Sequence, residues 1–340
     1  MATRLSIYAL FVCFILCALL PQLSADEPKL EPLGINLEGY DYPFPVHYLK
    51  LKEQGQDLEL AYMDVQPETP NGHTIILMHG KNFCGAYWKR TASDLAAAGF
   101  RVVIPDQIGF GKSTKADQIQ YSFQMMARHM EQLLDELKIE NTAVLGHSMG
   151  GMVATRFALD YPNRTEKLIL CNPIGLEDWK AKGVPYRSID AWEASELKKS
   201  PAGIRKYQLE SYYDGKWKEQ YDPWVELLAR PTLSPEYPRL AHVNALTYDM
   251  IFTQPVCYEF GNLKMPTLLI IGQRDRTALG KDAVSAELKA ELGDYPQLGR
   301  QTQQAIPGSQ LVELEGIGHL PPIEAYEQFF PPLIGFLEDK

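Results

Sequence analysis

Six short apolar runs, separated by polar or helical stretches, constrain the fold of this chain more than any other feature. TIILMHG (74–80), RVVIPD (101–106), AVLGHS (143–148), LILCNP (168–173), TLLIIG (267–272) and QLVELEG (310–316) are rich in β-branched residues, and most are continuous rather than alternating. Parallel strands covered on both faces read this way, because neither face meets water. Helical patterns lie between them. After Ser122, a capping residue type, Phe123, Met126, Met130, Leu133, Leu134 and Leu137 fall on one helical face. Such alternation specifies an α/β fold: a parallel sheet with crossover helices on its faces. Ahead of it, VHYLKLKEQGQDLELAYMDV (46–65) reads as two strands turning at Gln54-Gly55-Gln56.

The rhythm stops between about Gly175 and Phe260. That stretch offers polar helix-like pieces studded with aromatics, among them Trp179, Tyr186, Trp192, Tyr207, Tyr212, Tyr213, Trp217 and Tyr248. The sheet pattern resumes at TLLIIG, so 175–260 reads as an insertion dividing one core into 26–174 and 261–340. Residues 1–25 are different again. Arg4, an apolar stretch from Leu5 to Leu20, Pro21 and the small pair Ser24-Ala25 have the layout of a secretory signal, with cleavage expected after Ala25. The expectation is a secreted or periplasmic protein with no stable membrane span once cleaved; an uncleaved N-terminal anchor is the alternative.

A formal net charge of -10 argues against nucleic acid and against binding to anionic membranes. Without the leader, Cys84, Cys171 and Cys257 remain, an odd number with no CxxC spacing, so neither a disulfide scaffold nor a structural zinc site is expected.

Functional groups gather at the carboxyl ends of parallel strands, where loops and helix N-termini converge. Three ends carry reactive side chains, in the order Ser148, Asp275, His319. Gly146-His-Ser-Met-Gly150 fits Gly-x-Ser-x-Gly, in which glycines clear room for a sharp strand-to-helix turn that exposes the serine hydroxyl. A serine is a poor nucleophile until a base takes its proton. His319 is that base, and Asp275 fixes its tautomer and stabilises the imidazolium. The other acid position, after LILCNP, holds Asn172, which cannot serve as an acid. The tetrahedral intermediate also needs two amide donors. Met149 follows the nucleophile, and Lys81 follows His79-Gly80.

With these residues in place, the chain resembles the α/β-hydrolases over nearly its whole length after the leader. HG (79–80), DQIGFGKS (106–113), GHSMGG (146–151), GQRD (272–275) and GIGH (316–319) carry the resemblance. It implies the α/β-hydrolase fold, a mostly parallel sheet of about eight strands flanked by helices, with 175–260 as a helical lid. It implies a serine hydrolase, with no metal and no cofactor, acting on a small-molecule apolar or aromatic ester. Asn82, Trp179 and Tyr186 are then the candidates for the substrate pocket. Dehalogenating and epoxide-opening relatives use an aspartate where Ser148 stands, which disfavours both activities. Iminopeptidase relatives carry a tryptophan where this chain has Met149. Carbon–carbon hydrolases, lactonases, thioesterases and perhydrolases use the same triad and stay open, as does a binding protein that keeps the fold without catalysis.

Plainer readings stand beside these. Asp275 is a common turn residue, and His79 and His147 lie outside the base position of the elbow template. Most aromatics of the insertion serve to pack it. Lys81 departs from the apolar residue that the family usually has after HG. Its ammonium has two readings: a partner for an anionic substrate group, or a solvated charge on a loop that contributes only its amide.

Overall fold

The order in which the strands pair explains why one edge of the molecule holds the chemistry. In the computed structural model, residues 30–339 are described, so the expected leader and the cleavage expected after Ala25 lie outside the described residues. Eight strands run β1 (Val46–Glu53), β2 (Gln56–Val65), β3 (Thr74–Met78), β4 (Arg101–Pro105), β5 (Thr142–His147), β6 (Thr165–Cys171), β7 (Thr267–Gly272) and β8 (Gln310–Leu314). They form one sheet in the order β1-β2-β4-β3-β5-β6-β7-β8. The first hairpin is antiparallel, β2 joins β4 antiparallel, and every later pairing is parallel.

Burial follows pairing. β5 and β7, central and covered on both faces, are buried at every position, whereas β1 and β8 at the edges alternate or are half-exposed. The crossover helices α1 (Lys89–Ala97), α2 (Phe123–Glu136) and α3 (Met149–Asp160) follow the first three parallel positions. The Ser122 hydroxyl accepts the Met125 amide at 3.0 Å, and the face expected from the sequence is the buried one.

The stretch between β6 and β7 contains α4 (Ile189–Glu196), α5 (Pro201–Ser211), α6 (Asp222–Ala229) and α7 (Tyr237–Thr253), and no strand. It forms one compact unit with the sheet, since residues 31–340 do not divide further. After β7 come α8 (Ala286–Glu291) and α9 (Tyr295–Ala305), and after β8 come α10 (Pro321–Glu324) and α11 (Tyr326–Glu338). Among the described residues no helix is long and apolar enough to cross a membrane. Cys84, Cys171 and Cys257 are unbridged.

Candidate active site

The parallel register brings the ends of β5, β6, β7 and β8 side by side, and the three reactive residues meet there. Ser148 follows β5 with φ 55° and ψ −124°, a strained conformation for a residue with a side chain, and opens α3. Two glycines make the turn possible. A Cβ on Gly146 would run into the Gly150 carbonyl, and one on Gly150 into the Met78 carbonyl of the neighbouring strand.

His319 Nε2 lies 2.9 Å from Ser148 Oγ, and His319 Nδ1 lies 2.6 Å from Asp275 Oδ2. A nitrogen facing a carboxylate must carry the proton, so Nδ1–H donates to Asp275 and Nε2 is left to accept from the serine. All three are buried: Ser148 is 8% exposed, His319 1% and Asp275 0%. Burial alone would raise the Asp275 carboxyl. His319, the Asn172 amide and the Thr277 N–H outweigh it and hold Asp275 below its ordinary 3.8.

Other neighbours fix this arrangement. Asn172, set aside above as an acid, donates from Nδ2 to Asp275 Oδ2 at 2.8 Å and accepts the Gly272 amide at 2.9 Å. His147 Nε2 faces the His319 carbonyl at 2.8 Å and is therefore the protonated nitrogen, so Nδ1 accepts from the Tyr87 hydroxyl at 3.0 Å. Burial pushes His147 down to about 3, which keeps it neutral and donating. Arg274 donates to the Gly316 and Tyr212 carbonyls and pairs with Glu324, whose second oxygen takes the Gly318 amide at 2.8 Å. The loop that presents His319 is thus pinned from both sides.

The loop after β3 lies against Ser148: a Cβ on Gly80 would come within 2.9 Å of Ser148 Cβ. His79 accepts the Gln107 amide at Nε2 (3.2 Å), so its Nδ1–H donates to the Gly80 carbonyl at 2.9 Å and braces that loop. The Lys81 and Met149 amides make no turn or loop hydrogen bond to backbone among the described residues. The Lys81 ammonium is not a solvated loop charge. It donates to Thr247 Oγ1 at 2.9 Å and to the Asn244 carbonyl at 3.2 Å, and stands 3.9 Å over the Tyr248 ring.

The expected pocket residues part company. Asn82 lines a cavity of about 80 Å³ beside the loop after β3 and donates from Nδ2 to the Tyr212 hydroxyl at 2.8 Å. Trp179 does not reach that cavity: it is buried in the main core, its indole N–H on Glu177 at 3.1 Å. Tyr186 is 59% exposed, with its hydroxyl on Asp249, so it lies at the surface and does not line that cavity. Both expectations rested on aromatic residues lying in the insertion, and helical phase, which the short irregular pieces hide, decides which of them turn inward. The aromatic of the insertion that packs on the triad is Tyr212, whose ring stacks on His319 at 5.2 Å between centroids. Its sequence signal was only membership of the aromatic set.

The fold has close counterparts. A family model described as alpha/beta hydrolase fold matches residues 73–197. The crystal structure of a probable hydrolytic enzyme from Pseudomonas aeruginosa PAO1 superposes with a TM-score of 0.90 at 52% identity, covering 91% of this chain and 99% of that one. The chain belongs to the α/β-hydrolase fold superfamily. Among curated relatives, this α/β-hydrolase is 38% identical over 108 residues to the 2-hydroxy-6-oxo-6-phenylhexa-2,4-dienoate hydrolase of Burkholderia cepacia, a match covering 31% of this chain and only 38% of that enzyme. It is 25% identical to Lipase 1 of Psychrobacter immobilis over 80% of each chain.

Proposed function

We propose that the protein is a serine hydrolase that cleaves a carboxylic ester through an acyl-enzyme. The observation that carries this reading is the unbroken relay from Ser148 Oγ to His319 Nε2 (2.9 Å) and from Nδ1 to Asp275 (2.6 Å). His319 takes the hydroxyl proton as Ser148 Oγ attacks the ester carbonyl, and returns it to the departing alcohol. A water then repeats the sequence and releases the acid. The amides of Lys81 and Met149 hold the oxyanion, Met149 at the N-terminus of α3 where the helix dipole favours negative charge. The 175–260 insertion serves as the lid, with Tyr212 closing over His319.

Carbon–carbon bond hydrolysis on the same triad is the second reading. Its support is the local identity to the Burkholderia cepacia enzyme, against the wider match to Lipase 1. We also propose export, on the layout of residues 1–25; mass analysis of protein recovered outside the cytoplasm should show Asp26 as the first residue. For the chemistry, wild type and S148A are assayed on 4-nitrophenyl esters and on a vinylogous diketone. Turnover of esters by wild type alone supports the first reading, turnover of the diketone alone the second. Turnover of neither contradicts both.

A further inference from the structure

The cavity beside the loop after β3 is lined by two unlike kinds of side chain: the apolar Ile35, Leu37, Ile204, Leu227 and Leu240, and the charged Lys81, Lys115, Lys199 and Glu196. Three ammonium groups against one carboxylate leave two positive charges in excess. Lys199 spends its charge on Glu196 at 2.7 Å, and Asn244 Nδ2 satisfies the other Glu196 oxygen at 3.0 Å. Lys81 and Lys115 reach only neutral oxygens: Thr247 and Asn244 for the first, and the Gly111 and Ser113 carbonyls with Asn36 for the second. Glu196 acts on Lys81 without a hydrogen bond, opposed by Lys199, and Asp106 and Glu38 act on Lys115 from farther away, opposed by Arg239.

Buried charges are ordinarily paired, because an ammonium taken from water without a counter-charge is costly. Burial pushes both lysines down to about 7, the direction expected of cations short of a partner. An anion in the cavity supplies that partner while its chain packs on the apolar lining residues. At roughly 10–15 Å³ per water, a cavity of about 80 Å³ has room for a short ligand end and not for a long lipid chain.

We propose that this cavity is a subsite for a carboxylate carried by the substrate at the end remote from the bond that is cut. The acid released by hydrolysis forms at Ser148, which is not part of the cavity wall, so the anion held here is a second one. The proposal deepens the ester-hydrolase reading and rests on it only in calling the ligand a substrate.

The test is binding to the S148A protein, by calorimetry at pH 6.5, of monomethyl adipate against dimethyl adipate, which differ in one carboxylate. The half-ester should bind at least about tenfold more tightly. Two conservative variants in the S148A background should then move it in opposite directions. K199M, which removes a cation, should weaken the half-ester severalfold. E196Q, which removes the lone carboxylate and keeps its shape, should tighten it. Neither should change the diester. Equal affinity for the two ligands overturns the proposal, and so does a shift of the half-ester in the same direction in both variants, which is what loss of structure would give. Because S148A turns nothing over, failure here is distinct from failure of the hydrolase reading, which shows in the wild-type esterase assay.

Discussion

Replacing Asp275 by alanine probes the relay at its buried end. The carboxylate accepts three hydrogen bonds, from His319 Nδ1 (2.6 Å), Asn172 Nδ2 (2.8 Å) and the Thr277 amide (2.8 Å). When His319 takes the serine proton, a positive imidazolium forms against a negative carboxylate with charge centres about 4 Å apart. At an effective dielectric of about 20 that attraction is about 4 kcal/mol, equivalent to about 10³ in rate. D275A should therefore lower kcat on 4-nitrophenyl butyrate by about 10³-fold or more, with KM changed far less, because the imidazolium exists only beyond the ground state. Folding must be measured alongside, since each orphaned donor costs about 1–3 kcal/mol. Thermal unfolding gives the folded fraction and steady-state kinetics at a temperature well below the midpoint gives kcat. A folded D275A enzyme retaining more than about a tenth of wild-type kcat would refute the role assigned to the carboxylate.

Three further outcomes follow from the geometry. G150A places a methyl group against the Met78 carbonyl, backbone that cannot turn aside, so it should cost about 1–3 kcal/mol by urea titration and slow acylation of whatever remains folded. Y212F leaves Asn82 Nδ2 without its acceptor and should cost about 1 kcal/mol of stability with a severalfold loss of kcat; an unchanged kcat would count against a catalytic use for the Tyr212–Asn82 contact. The preference for a half-ester over its neutral diester should be strongest below pH 7 and fade above it. A lysine held at about 7 is charged below that value and neutral above it, while between about pH 6 and 9 the ligand's carboxylate stays ionised. A preference that grows from pH 7 to 9 would have the wrong sign.

Much of this was legible in the sequence because its signals are local. Six apolar runs gave β3 to β8 within a few residues of their ends, the turn at Gln54-Gly55-Gln56 gave the hairpin of β1 and β2, and the Gly146–Gly150 spacing marked the elbow that the two glycine contacts explain. The order Ser148, Asp275, His319 at strand ends was readable for the same reason: a parallel sheet aligns those ends whatever the loops do. What the sequence hid depends on long-range packing. Asn172 announced that it was no acid, but its role as donor to Asp275 requires β6 and β7 to be neighbours. Tyr212 and Tyr186 look alike as letters, and only the phase and tilt of short helices place one on His319 and the other at the surface. Lys81 was read either as a solvated charge or as a partner for an anion, because nothing nearby in sequence shows that α7 supplies oxygens to its ammonium.

The most direct check on Ser148 as an activated nucleophile is covalent labelling by a fluorophosphonate at pH 7.5, read by peptide mass spectrometry. Wild-type protein should carry one adduct, on the peptide containing Ser148, with H319A slowed by orders of magnitude and S148A unlabelled. Folded wild type that takes up no label, or an adduct that persists in S148A, would contradict the mechanism.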